Sequence, residues 1–203
     1  MNIRNAAIAA TLAVLLVACS RENQTGQPET ETTGSVQSIQ QTADTASATT
    51  TGAGNGTLTV MSNEDKEFVT KAGMGGLAEV QMGNLALQKA SNADVKAFAQ
   101  RMVTDHSKAN AELAQFATAK GLALPTELSG EHQAAYEHLN SLSGAAFDKA
   151  YMQHMVEDHE KDVAEFDKTS TSASDADLKA WAGKTLPTLK GHLEQAKTTA
   201  RKV

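Results

Sequence analysis

The chain has 203 residues and a formal net charge of −6, with acids and bases interspersed, which argues against nucleic acid as a partner. Aromatics make up 4% and prolines number 3, while Ala, Leu, Glu and Lys dominate the second half, so helices are favoured over a β sandwich. A single cysteine excludes an intramolecular disulfide and a thiolate metal cluster.

The first elements concern export. Arg4 supplies a positive start, and Ala6 to Ala18 is an apolar run broken only by Thr11. That run is short for a membrane span and suits the apolar stretch of a signal peptide. It ends in Leu16-Val17-Ala18-Cys19, which resembles the bacterial lipobox, so residues 1–18 are expected to be removed and Cys19 to be lipidated. Ser20 follows; by resemblance to enterobacterial sorting, a residue other than Asp there favours the outer membrane. The chain is therefore expected to be anchored to a membrane through Cys19 and not to span one. From Cys19 to Met61 the composition is Thr, Ser, Gln, Gly and Ala without an aromatic, which predicts a disordered linker.

From Ser62 to Val203 the pattern becomes helical. Ser62-Asn63-Glu64-Asp65 has the shape of a capping box, and helical spacing runs to about Ala90. Ser91-Asn92-Ala93-Asp94 offers a second cap for a helix that Gly121 ends after Lys120. A loop with Pro125 leads to a short helix near Glu131 to Leu142, and Ser143-Gly144 restarts the chain into a long helix ending near Thr169. Ser174-Asp175 caps a last helix to about Arg201, with Pro187 inside it and a kink expected there. Four long helices and one short one predict an all-α, up-and-down four-helix bundle.

An internal repeat supports that arrangement. Shifting Lys96–Glu112 by 53 positions onto Lys149–Glu165 leaves ten of seventeen pairs identical, among them Met102/Met155, Asp105/Asp158 and His106/His159. Two hairpins related by a pseudo-two-fold would set these segments opposite each other across the core.

The histidines fall on the apolar stripes. Val95, Phe98, Met102, His106, Ala109, Leu113 and Phe116 recur at three or four residues on the second long helix. Phe147, Tyr151, Met155, His159, Val163 and Phe166 do so on the third, and Leu178, Trp181, Thr185, Leu189, His192 and Ala196 on the fourth. On the first, Glu79 interrupts a seam of small residues at Ala72, Gly76, Gly83, Ala86 and Ala90. Glu79, His106, His159 and His192 each lie near the middle of their helix, so in an antiparallel bundle they share a level. One carboxylate and three imidazoles suit one zinc, copper or iron ion. The same four groups could instead form a metal-free polar network that fixes helix register. Asp105 and Asp158 fall about 100° round their helices, as outer partners of a site or surface groups. His132 and His138 are expected to be solvated, and His154 to sit on a flank. Met102 and Met155, one turn before the paired histidines, read as core filling that would also suit Cu(I).

Three stretches, GGLAEVQMGNLALQKASNADVKAFAQRMVTDHSKANAEL, LSGAAFDKAYMQHMVEDHEKDVAEF and TLPTLKGHLEQAK, resemble an exported bacterial family known as domain of unknown function 4142. The resemblance covers Ser62 to about Lys197, implies a ferritin-like bundle in the cell envelope, and matches the family pattern at Glu79, His106, His159 and His192. It brings no reaction. Glu-x-x-His is absent, which argues against a bridged di-iron centre, and no hydrolase triad or phosphate loop replaces it. Two functions from different classes follow: an envelope protein that sequesters or senses a transition metal, or a structural module that binds another envelope protein or a second copy of itself. A redox enzyme would need an open metal position, and no catalytic residue is assigned.

Overall fold

The computed structural model describes residues 61–128 and 130–203. The signal segment, the lipobox with Cys19 and the linker up to residue 60 lie outside the described residues. Met61, at the linker's end, is buried with the core.

Five helices make up the fold: α1 (Asn63–Lys89), α2 (Ala93–Ala119), α3 (Gly130–Ser141), α4 (Gly144–Ser172) and α5 (Ala176–Ala200). Their ends follow from local chemistry. The Ser62 side chain accepts from the Asp65 amide, Asn92 from Asp94 and Val95, and Asp175 from Asp177 and Leu178, so each of these helices has its first free amides satisfied. Gly121, at φ 69°, takes the left-handed turn that releases the chain from α2. Pro187 does not end α5, which continues to Ala200.

Ion pairs define the register of α2 against α5: Asp94 with Lys202 (2.8 Å), Glu112 with Lys184 (3.0 Å) and Asp175 with Lys120 (2.6 Å). Those pairs run in opposite sequence order, so the two helices are antiparallel. The same holds for α4 and α5 through Glu160–Lys197 and Asp167–Lys190. The α1–α2 and α4–α5 hairpins form the two main packing interfaces, and α1 against α4 and α2 against α5 close the square. The connection through α3 carries the chain back along the bundle, so α2 and α4 run parallel on a diagonal. This is the ferritin-like order, with one long crossover.

Each hairpin turn is held by a buried aspartate from the other hairpin. Asp148 of α4 accepts from the Ser91 and Asn92 amides and the Ser91 hydroxyl, while Asp65 of α1 accepts from the Ser174 and Asp175 amides. The sequence reading missed both clasps: Asp65, in the first turn of α1, reads as ordinary dipole complement, and Asp148, one turn into α4, reads as an ordinary helix-surface charge. Asp148→Ala should cost about 3 kcal/mol, since it removes a buried charged acceptor from two amides and a hydroxyl at once. Urea denaturation of the variant checks this.

Small residues bring α1 close to α2. A Cβ built on Gly83 would stand 2.8 Å from Val103 Cγ2 and 3.3 Å from the Ala99 carbonyl oxygen. Val103 is stiff at χ1 and cannot swing away freely. Gly83→Ala gains about 1 kcal/mol in helix propensity but is expected to lose more through overpacking, by about 1–3 kcal/mol. The test is a net fall in the urea midpoint.

The core is divided. One cluster holds Met82, Leu85, Phe98, Met102, Tyr151 and Met155; the other holds Phe68, Val69, Leu113, Phe166, Leu178 and Leu189. A polar layer lies between them.

Candidate metal centre

That layer is made by Glu79 of α1, His106 of α2, His159 of α4 and His192 of α5, all buried. Each occupies its helix's inward stripe at mid-length, as expected. The three imidazoles form a triangle, with ring centroids 5.2 Å (His106–His192), 5.4 Å (His159–His192) and 5.6 Å (His106–His159) apart.

One nitrogen of each ring is held from outside the triangle. His159 Nδ1 donates to the Met155 carbonyl at 2.9 Å, His192 Nε2 meets Asp105 Oδ2 at 2.8 Å, and His106 Nδ1 meets Glu79 Oε2 at 2.7 Å. A carbonyl can only accept, so the proton of His159 sits on Nδ1 and Nε2 presents a lone pair. The Asp105 carboxylate fixes His192 in the same way, with Nδ1 bare. His106 Nε2, His159 Nε2 and His192 Nδ1 are buried without a hydrogen-bond partner, and one ring nitrogen from each of the three histidines lies within 4.8 Å of the others. Outer acceptors that orient three imidazoles toward an empty-handed centre are the usual support of a metal-binding histidine set.

Glu79 stands beside this triangle and not within it. Its Oε2 is taken up by His106, and its Oε1 lies 3.3 Å from His159 Nε2 without the alignment of a hydrogen bond. Glu79 thus meets His106 and stands close to His159; the sequence reading made it a fourth ligand converging with the three imidazoles. Asp105 proves to be an outer partner through His192. His154 is half-buried away from the triangle, and His138 is exposed. His132 departs from expectation: it is half-buried in a cleft with Asp158 and Asp162. Asp162 is the residue near the centre that sequence reasoning passed over, since it falls one turn beyond His159 at a position where the repeat partner is Ala109.

Burial keeps the imidazoles neutral. It pushes His159 down to about 3, with His106 and His192 adding to the effect, and His192 down to about 4 despite its bond to Asp105. His106 is lowered by the same cause. Burial drives the Glu79 carboxyl well above the usual carboxylate range, and Asp158 adds to the shift. Asp162 is raised likewise, by burial first and then by Glu79 and Asp158. Neutral imidazoles with free lone pairs are the form that binds a transition metal.

The fold and the buried histidine layer define a ferritin-like four-helix bundle. The chain belongs to the family of the domain of unknown function DUF4142, whose model matches residues 34–199. Among solved structures, the bundle is similar to a DUF305 fragment from Deinococcus radiodurans (TM-score 0.63, 12% identity, 70% of this chain and 99% of that one). It is also similar to CopM in the Cu(I)-bound form (TM-score 0.57, 16% identity, 68% and 96%) and in the Cu(II)-bound form (TM-score 0.56, 16% identity, 68% and 97%). At these identities the likeness shows the fold. No curated protein matches the chain in sequence.

Proposed function

We propose that the protein is a cell-envelope lipoprotein that binds one transition metal ion between His106, His159 and His192, as a sequestering or sensing module. The observation that carries this reading is three buried histidines that each offer a ring nitrogen within 4.8 Å of the others, each ring also having one nitrogen without a hydrogen-bond partner. Buried polar atoms are nearly always satisfied, so three orphans facing one point mark a missing partner. An ion bonded at about 2.0–2.2 Å fits three nitrogens after a small closing of the triangle. When bound it would supply the positive charge that these lone pairs face, while Glu79, Asp105 and the Met155 carbonyl hold the rings in place.

Copper is the first ion to try. The CopM structures are in Cu(I)-, Cu(II)- and Ag-bound forms, and imidazole donors suit copper and zinc better than hard cations. The alternative is a metal-free, register-fixing network in which buried water satisfies the same nitrogens. Metal analysis of the full chain, carrying Cys19→Ser so that no thiol competes, decides between them. About one copper, silver or zinc ion per chain is expected; none after titration with all three would end the metal reading and turn the search to surface partners.

The anchor belongs to the same proposal and rests on Leu16-Val17-Ala18-Cys19. Cys19→Ser should shift the protein from the membrane fraction, outer membrane by the Ser20 criterion, to the soluble fraction. Fractionation of cells making each form measures this.

A further inference from the structure

The approximate two-fold axis of the bundle runs along its length and exchanges α2 with α4 and α1 with α5. The sequence repeat follows it, pairing Asp105 with Asp158 and His106 with His159. By the same operation Glu79 on α1 takes the place that His192 holds on α5. On one side a carboxylate therefore meets an imidazole, Asp105 with His192. On the other side the same packing brings a carboxylate to a carboxylate, Asp158 to Glu79. The symmetry breaks once more in the same direction, because Asp162 replaces the small Ala109.

We propose that Glu79, Asp158 and Asp162 form a second cation site, adjoining the imidazole triangle, for a divalent cation that prefers oxygen ligands. One oxygen from each lies within 4.8 Å of the others. Three carboxylates at that spacing repel unless protons or a cation intervene. The lysine pairs of α4 go to Glu160 and Asp167, and among the described residues none reaches Asp158 or Asp162. Glu79, 1% exposed, keeps its Oε1 without a hydrogen-bond partner, 3.3 Å from His159 Nε2, so the cluster contains a buried oxygen, on the side next to the triangle, with a lone pair to give.

The space is suitable. A cavity of about 30 Å³ touches Glu79, Asp162 and His106, room for one ion or a water; Asp158 lines the adjoining outer cleft. It shares Ala72, Gly75, Asp162 and Phe166 with an outer cleft of about 270 Å³ between α1, α3 and α4, where Glu131 and His132 stand on the α3 side. A Cβ on Gly75 would meet nothing within 4 Å, so that position leaves the way in open. Carboxylate oxygens select Mn(II), Mg(II) and Ca(II), where the imidazoles select copper and zinc. The two sites would thus take different ions, and this one does not depend on the triangle's holding a metal.

The test uses the full Cys19→Ser chain titrated with Mn(II) at pH 8, with free Mn(II) read by its electron paramagnetic resonance signal. About one Mn(II) per chain is expected. Asp158→Asn with Asp162→Asn should weaken that uptake at least tenfold, leave Ag(I) uptake unchanged, and keep the helical circular dichroism of the parent. Gly75→Leu, which fills the opening without touching a ligand, should slow Mn(II) uptake and serves if the double variant folds poorly. No Mn(II) uptake, or uptake that neither variant alters, would overturn the proposal and leave the carboxylates as proton carriers. Mn(II) uptake without Ag(I) uptake would support it and remove the triangle reading instead.

Discussion

Replacing His106 and His159 together with leucine is expected to take copper or silver uptake from about one ion per chain to none. The substitution leaves only His192, tied to Asp105, and one imidazole does not hold an ion against water. Packing should tolerate the change, because leucine approximates histidine in volume and the layer is bounded by Met102 and Met155 on one side and Leu113 and Phe166 on the other. The cost falls on Glu79, which loses its 2.7 Å contact with His106 Nδ1 in a buried place, roughly 1–3 kcal/mol for an unsatisfied group. Adding Glu79→Leu should recover that loss and still bind nothing. Full metal stoichiometry in the double variant would show that the ion sits elsewhere.

A second large effect concerns pH in the metal-free chain. Above pH about 6.5 the three imidazoles are neutral both folded and unfolded, and they contribute nothing to the pH dependence. Below it the unfolded chain takes a proton on each histidine, while the fold refuses until about 4 at His192 and about 3 at His159, with His106 lowered too. More protons on the unfolded side means that stability falls as pH falls. The raised carboxyls of Glu79 and Asp162 act in the opposite sense, keeping protons in the fold that the unfolded chain releases above its ordinary carboxylate range. Their stabilisation is complete at low pH and is lost as pH rises through their folded values. Over the range where the folded carboxyls keep protons that the unfolded chain has released, they offset part of that fall. Below the ordinary carboxylate range both states hold those protons and the offset ends, so the decline steepens, with His159 and His192 together worth about 2.7 kcal/mol per pH unit until His192 titrates at about 4. Urea midpoints at pH 7, 5.5, 4.5 and 4 should therefore show a gentle slope and then a steeper one. A flat profile to pH 4 would contradict the neutral burial of the imidazoles, and His159→Leu should flatten the steep limb.

Much of this architecture could be read from residue spacing. Caps at Ser62, Asn92 and Asp175 and the break at Gly121 placed the long helices to within a few residues, because those signals act within one turn. The inward stripes gave His106, His159 and His192 for the same reason, since a period of three to four residues decides which face is buried. Spacing could not say how the groups divide once inside. Whether Glu79 joins the histidines or orients one of them depends on side-chain rotation at the ångström scale. Asp162 was invisible because its neighbours on α4 are polar and its acidity matters only against α1. Asp65 and Asp148 were missed because their partners lie 110 and 57 residues away in the chain.

The polar layer draws on both hairpins, and its imidazoles divide unequally: His106, beside Glu79, comes from α1–α2, while His159 and His192 come from α4–α5. Each hairpin is a local structure that can form by itself on a short timescale, yet neither alone carries the triangle. The ion's affinity is thereby tied to the docking of one hairpin on the other. A chain that docks loosely holds metal weakly, and a loaded chain resists separation of its halves by the free energy of the bound ion. Metal occupancy would thus work as a latch on assembly, closing the molecule at its waist while the two apolar ends supply the grip.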